Sequence, residues 1–143
     1  MTITPGFTQS FILEKSQAIH DLEDDTLKLA LYGSAASLTP DATTAYTSSE
    51  EVSGTGYTAG GEAMAVSSGY PLTTSDGIVE YRFDSVVWGA GASFDTVYGG
   101  LIYNTSKSNR SIMILEFPLG RVISSATFTI AFPLTVPALM RFK

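Results

Sequence analysis

Short alternating apolar segments, separated by turn-forming residues, constrain the fold of this chain more than any other feature. In "TLKLALY", Leu27, Leu29 and Leu31 alternate with other residues, which is the period-two pattern of a half-buried β-strand. Similar segments recur at short spacing with Ser, Thr, Gly, Asp and Pro between them. The pattern predicts a mainly β fold, an antiparallel β-sandwich or jelly-roll-like domain, rather than a parallel α/β sheet. The other predicted strands are residues 62–66, 77–83, 94–98, 100–103, 111–117, 127–132 and 138–142.

One helix is predicted before the strands. The apolar residues of "SFILEKSQAIHDLED" fall near i, i+3, i+4 and i+7 spacing, and Thr8 or Ser10 is placed to cap them. We therefore predict a short amphipathic helix over residues 10–23. The chain has 143 residues and no internal repeat. We expect a single β-sandwich domain over residues 11–143, preceded by an N-terminal arm, residues 1–10.

The composition offers little material for catalysis. The chain has no cysteine, which excludes disulfides, thiolate zinc sites and cysteine nucleophiles, and its one histidine, His20, is not accompanied by a nucleophile-elbow serine. The acidic stretches at residues 23–25 and 50–51 lack calcium-loop spacing. We expect no enzyme activity, no catalytic residue, no cofactor and no metal site. Paired carboxylates of the glycosidase kind stay an open alternative, because such partners meet only in the folded chain.

The stretch "EEVSGTGYTAGGEAM", residues 50–64, contains a loose version of a dinucleotide-binding glycine pattern. That pattern binds a pyrophosphate only where a strand leads into it and a helix begins in it. Here a polar loop precedes the glycines, and glycine and proline interrupt the residues that follow. We interpret Gly54, Gly56, Gly60 and Gly61 as a β-connection that needs close backbone approach or positive φ.

Charge is distributed unevenly along the chain. Its net value is −6, but residues 1–103 hold three basic and thirteen acidic residues, whereas residues 104–143 hold five basic and one acidic. The asymmetry favours head-to-tail contact between copies or docking on a charged surface, and the alternative is that the charges mix once the chain folds. The basic residues are dispersed without interleaved aromatic residues, so we expect no nucleic-acid partner.

Neither a membrane span nor a leader is expected. No apolar run approaches the roughly 20 residues of a spanning helix, so we predict no membrane partner. The first residues show no basic region followed by a sustained apolar run, and we therefore expect no signal peptide and a cytosolic site of synthesis.

Both ends of the sequence are more apolar than free tails need to be. The start, "MTITPGFT", and the end, "FPLTVPALMRFK", carry branched and aromatic residues almost to the termini. Apolar ends of this kind indicate contact surfaces, and packing within the domain is the alternative for the C-terminal strand. For the single tryptophan, a place in the core is the alternative to an interface role. The predicted interface residues are Ile3, Pro5, Phe7, Phe11, Trp88, Arg141 and Phe142.

Several phrases of the sequence carry a resemblance to a known family. "DTLKLALY", "EVSGTGYTAGG" and "GLIYN" are together distinctive, and the similarity extends over about residues 18–133. The chain resembles a family of small virion proteins of tailed bacteriophages. The resemblance implies a structural protein of the virion with no catalytic residues to carry over.

Within that family, the resemblance implies a cement or decoration protein on the capsid surface, which clamps neighbouring subunits of the major capsid protein. The expected partners are the major capsid protein and further copies of the chain itself, as a homodimer or homotrimer. A head-tail connector or tail component is the alternative. A carbohydrate-binding or hydrolytic β domain is third, and an exposed strip of Tyr57, Tyr70, Tyr98 and Trp88 would favour it.

Overall fold

The computed structural model describes residues 2–133 and 139–142 and shows a mainly β chain with antiparallel sheets and one helix, consistent with the β-sandwich class that the alternating segments predict. The first half of the described chain contains β1 (Thr2–Ile3), β2 (Gly6–Phe7), α1 (Gln9–Ser16), β3 (Leu27–Tyr32), β4 (Ser37–Leu38) and β5 (Gly54–Thr55). The second half contains β6 (Glu62–Met64), β7 (Leu72–Thr73), β8 (Val79–Tyr81), β9 (Val86–Asn104), a 3₁₀ turn (Thr105–Lys107), β10 (Arg110–Ile130) and β11 (Met140–Phe142).

The largest sheet has six strands in the order β2-β10-β9-β3-β6, and β5 pairs with β9 beside this path. All of its pairings are antiparallel. A second sheet has the order β11-β8-β7, and β1 and β4 form a parallel pair. The predicted strands 62–66, 77–83 and 138–142 correspond to the shorter β6, β8 and β11, although residue 138 lies outside the described residues.

A long hairpin of β9 and β10 dominates the large sheet. The two strands have 19 and 21 residues, whereas the sequence predicts four separate segments at residues 94–98, 100–103, 111–117 and 127–132. That segmentation is wrong because Gly99, which looks like a break, pairs in register with Glu116, and because Pro118 and Gly120 lie in a bulge of a continuous strand. Glu116 pairs with Gly99 and Arg121 with Val97, so that β10 advances five residues while β9 advances two.

The helix is shorter than predicted. Helix α1 covers Gln9–Ser16 instead of residues 10–23, with the Thr8 side chain accepting a hydrogen bond from the Phe11 backbone N–H. Ala18, with φ +56°, follows its end. Beyond that point the Asp21 carboxylate accepts the N–H groups of residues 23 and 24, and this local competition favours a turn over further helix. The apolar periodicity continues past Ser16 because the following loop also contributes to the core.

The predicted N-terminal arm belongs to the β body. Strand β1 pairs with β4, and β2 pairs with β10 through Phe7↔Met113. Ile3 is 7% exposed. Residues 2–10 are therefore joined to the folded body through β1, β2 and the start of α1, although Pro5 between the two strands is exposed.

Apolar side chains cover both faces of strand β3. Leu29 and Leu31 belong to one buried cluster, and Ala30 and Tyr32 belong to another. Successive side chains of a strand point to opposite faces, so the two clusters lie on opposite sides of the large sheet. The first cluster is larger and includes Phe11, Phe83, Trp88, Phe94, Ile102, Ile112 and Met140.

Candidate interface at the chain ends

The two ends of the chain meet in one aromatic cluster. The Phe7 ring centroid lies 5.4 Å from that of Phe11 and 5.5 Å from that of Phe142. Phe11 and Phe142 are 6.1 Å apart, and Tyr81 approaches Phe142 edge-on at 6.0 Å. Three predicted interface residues, from β2, α1 and β11, are thus neighbours, an arrangement that no local sequence pattern shows.

A pocket of about 410 Å³ opens beside this cluster. The Lys15 ammonium lies 4.3 Å from the Phe142 ring centroid, which is a cation–π geometry at the pocket edge. The volume is at the lower end of the range for binding pockets, and the lining rings suit an apolar or aromatic group. Its lining includes Phe11, Lys15, Leu22, Val79, Tyr81 and Phe142.

His20 forms part of the pocket wall, yet both of its ring nitrogens are occupied. Nε2 lies 2.8 Å from Glu14 Oε2, and Nδ1 lies 3.0 Å from Asn104 Nδ2. The side chain is 1% exposed. With both nitrogens in hydrogen bonds to the chain itself, His20 ties the helix to the end of β9 and has no ring nitrogen free to act as a general base.

Charged groups extend this network. The Arg110 guanidinium binds the other Glu14 oxygen, Asn104 Nδ2 donates to Asp25 Oδ2 at 2.7 Å, and Lys107 Nζ lies 3.5 Å from Asp25 Oδ1. Burial disfavours the charged form of Asp25, but the Asn104 and Asp21 N–H donors and Lys107 outweigh it, so the pKa of Asp25 lies below its ordinary value. The network holds the loop after α1 against the β9–β10 turn.

Ion pairs join the basic end of the sequence to its acidic part. Arg110 binds Glu14, and Arg141 Nε lies 3.0 Å from Glu80 Oε1, although Glu80 is only 1% exposed. Together with Lys107 and Asp25, these pairs bring basic residues after position 103 against acidic residues before it. The uneven charge of the sequence is therefore partly used within the folded chain, as the mixing alternative expected.

The other predicted interface residues lie apart from the aromatic cluster. Ile3 packs in the second core cluster, Pro5 is exposed, and Trp88 is 1% exposed. In this fold Ile3, Phe11 and Trp88 offer almost no surface to a partner, while Pro5 and Arg141 are exposed and Phe7 and Phe142 half-buried. The Trp88 ring packs near Tyr57, Phe94 and Phe128, and so it is not available as an exposed platform for a sugar.

A second polar cluster, absent from the sequence predictions, centres on Glu51. Tyr46 OH donates to Glu51 Oε2 at 2.7 Å, Tyr57 OH donates to Oε1 at 2.6 Å, and the Gly60 N–H donates to Oε1 at 2.7 Å. Tyr103 OH donates to the Gly60 carbonyl at 2.7 Å. Burial, aided by the Glu51 carboxylate, raises the pKa of Tyr46 and of Tyr57. We call these five residues the Glu51 clamp.

The glycine segment that the clamp holds is a β-connection. Gly54 begins β5, which pairs with β9, and no helix begins between residues 54 and 61. Gly54 has φ +142°, and a Cβ there would lie 2.5 Å from the Ser93 carbonyl oxygen. Gly61 has φ +73°, and a Cβ there would overlap the Leu29 carbonyl. Glycine is needed at both positions for close packing against neighbouring strands.

Comparison with protein-family models, curated proteins and solved structures finds no match to this chain. Among residues 2–133 and 139–142, no group of three or more His, Cys, Asp or Glu side chains is arranged to hold a metal ion. In the same part of the chain, no helix has both the length and the apolar character needed to cross a bilayer.

Proposed function

We propose that this chain is a structural protein of a tailed-bacteriophage virion, a cement or decoration protein that binds the outside of the head and bridges neighbouring subunits of the major capsid protein. The observation that supports this proposal is the mutual packing of the three phrases that carry the family resemblance. Strand β3, from "DTLKLALY", pairs with the end of β9, from "GLIYN", through Lys28↔Tyr103 and Leu29↔Ile102.

The third phrase, "EVSGTGYTAGG", packs onto the other two. Its Glu51 forms a bridge pair with Tyr32 at the end of β3, and its Gly60 accepts the Tyr103 hydroxyl from β9. The Tyr57 hydroxyl also accepts the Leu31 backbone N–H at 2.9 Å. The three phrases that carry the resemblance thus pack together in one part of the fold. A resemblance over segments in mutual contact carries more weight than one over three scattered segments.

The physical demands of a cement protein suit this architecture. A bridging protein stabilises a shell by binding its assembled form, and it needs a stiff body with a defined contact surface. The antiparallel sheets, for which we propose a jelly-roll order, supply the body. The pocket at the chain ends supplies the surface, where an apolar side chain of the major capsid protein would contact Phe142 and Tyr81 beside Lys15. Many copies on one lattice raise the effective concentration of each contact.

The test is the copy number of this chain in purified particles of the phage that encodes it, measured by quantitative mass spectrometry against the major capsid protein. We expect a ratio comparable to that of the major capsid protein. A ratio far below it would place the chain at the head-tail connector or on the tail. Absence from the particles would overturn the proposal.

A further inference from the structure

An apolar knob projects from strand β10, away from the pocket at the chain ends. Leu119 is 89% exposed and Val122 is 81% exposed, the highest values among the exposed large apolar side chains of the described residues. They flank Arg121 in the bulge where β10 gains residues over β9. Such strongly exposed apolar side chains around a cation are typical of contact surfaces. We call Leu119, Arg121 and Val122 the knob.

Arg121 differs from the cations that the fold uses internally. Arg110 and Arg141 bind carboxylates, whereas the Arg121 guanidinium contacts the carbonyl of its neighbour Gly120 at 3.4 Å and forms no ion pair with a residue that the structure describes. The chain carries a net charge of −6, so two copies repel one another at long range. A local cation at a contact between copies offsets this repulsion, and Arg121 is placed to do so between two exposed apolar side chains.

An acidic pocket of about 380 Å³ adjoins the knob. Thr96 and Tyr98 line it, and both lie 3.0 Å from the position that a Cβ on Gly120 would take. Its carboxylates are those of Glu50, Glu51 and Asp95. Glu51 is held in the clamp and Asp95 accepts hydrogen bonds from Ser53, whereas the Glu50 carboxylate makes no hydrogen bond to a described residue.

We infer that the knob and the acidic pocket form a two-fold contact between two copies of this chain. Arg121 of each copy enters the acidic pocket of the other and approaches Glu50, while Leu119 and Val122 are covered at the centre. The occupant is a second copy because the cation and its complement lie on one patch of the same chain, as a two-fold interface requires. Charge complementarity selects this orientation. The inference goes beyond the proposed function and does not depend on it.

Sedimentation velocity of the purified full chain tests the contact. We expect a dimer of the 15.2 kDa chain that dissociates on dilution and weakens as salt is added. Arg121→Glu and Glu50→Lys should each yield monomers. In the Arg121→Glu homodimer two carboxylates would meet at each contact, and in the Glu50→Lys homodimer two cations would meet there. An equimolar mixture of these two variants should yield dimers. One contact then pairs the new carboxylate at position 121 with the new ammonium at position 50, and the other keeps the native pair.

The apolar part of the contact has a matched control. Leu119→Ser with Val122→Ser should weaken the dimer by roughly tenfold or more, since both side chains would be central in the interface. Leu72→Ser removes a side chain that is 47% exposed on another sheet and should leave the dimer unchanged. A wild-type chain that stays monomeric at all concentrations, a dimer that keeps its affinity in Arg121→Glu, or a mixture that stays monomeric would overturn the inference. These outcomes are independent of the copy number in particles.

Discussion

The ring centroids of Phe7 and Phe142 lie 5.5 Å apart, so that the first strands of the chain and its last described strand share one aromatic cluster. Phe142 also contacts Phe11 and Tyr81 and carries the Lys15 ammonium over its ring. The two ends of the chain, which the sequence indicates as separate contact segments, therefore form a single surface in the folded protein.

Phe142→Ala should destabilise the fold by about 2 kcal/mol, below the range for a fully buried phenylalanine because the ring is half-buried. The loss follows from removing the ring that joins β11 to Phe7 and Phe11. Urea unfolding at neutral pH measures it. Val87→Ala, at a side chain that is 50% exposed, is the control and should change the free energy of unfolding by less than about 0.5 kcal/mol. Equal effects of the two substitutions would show that the aromatic cluster does not join the ends.

Glu51→Gln should destabilise the chain by about 1–3 kcal/mol, since an amide nitrogen replaces one of the two oxygens that accept hydrogen bonds from Tyr46, Tyr57 and Gly60. Glu50→Gln makes the same chemical change at the adjacent residue and should stay within about 0.5 kcal/mol of wild type. Thermal and urea unfolding of the two variants, compared side by side, give the difference. A Glu51→Gln chain as stable as Glu50→Gln would contradict the clamp.

The clamp also predicts how stability depends on alkaline pH. Burial raises the pKa of Tyr46 and of Tyr57 above the ordinary value of about 10. Above that pH the unfolded chain has lost these phenolic protons while the folded chain retains them. The contribution of these two tyrosines to the free energy of unfolding is therefore fully present below about pH 10 and is lost as the pH rises further. Tyrosinate absorbance should increase at higher pH in the folded chain than in urea, and coincident titration curves would contradict the expectation.

The hydrogen bonds of His20 predict one ring tautomer. Because Asn104 Nδ2 can only donate, the His20 Nδ1 atom accepts, and the ring proton of the neutral form lies on Nε2, where it is donated to Glu14. Long-range ¹H–¹⁵N NMR of the neutral imidazole should show this tautomer. Asn104→Asp places a carboxylate beside Asp25 and removes the donor to Nδ1, and it should cost about 2 kcal/mol or more. Asn109→Asp, at an exposed position, is the control.

The sequence predicts most features that depend on contacts between residues close together in the chain, and it misses those that depend on distant residues. Strand β3 was predictable because alternation is local, and so was the β-connection at Gly54 and Gly61, which lacks the flanks of a nucleotide site. The end of α1 was missed because the Asp21 carboxylate accepts the N–H groups of residues 23 and 24, and such side-chain hydrogen bonds compete with a helix without leaving a periodic pattern in the sequence.

The long hairpin and the sites depend on longer-range contacts. Bulges keep β9 and β10 continuous where Pro118 suggests a break, and pairing to a neighbouring strand decides this. The Glu51 clamp joins Tyr46 and Tyr57 at spacings that match neither a helix nor a strand. The meeting of Phe7 with Phe142 spans nearly the whole chain. Only the apolar content of the two ends was visible as a signal, and it indicated contact without naming the partner.

The pocket at the chain ends gives the most direct test of how the chain would attach to a capsid. Val79→Phe adds a ring to the pocket wall and breaks no hydrogen bond or ion pair, so it should leave the fold intact while it fills the space that a capsid side chain would enter. We expect its copy number on particles to fall by about tenfold or more, as for a blocked hot-spot pocket. Leu72→Phe enlarges an apolar side chain on the neighbouring strand β7, outside the pocket, and should attach like wild type. Wild-type attachment of Val79→Phe would remove this pocket from the contact surface, and loss of attachment in both variants would indicate a wider surface that includes β7.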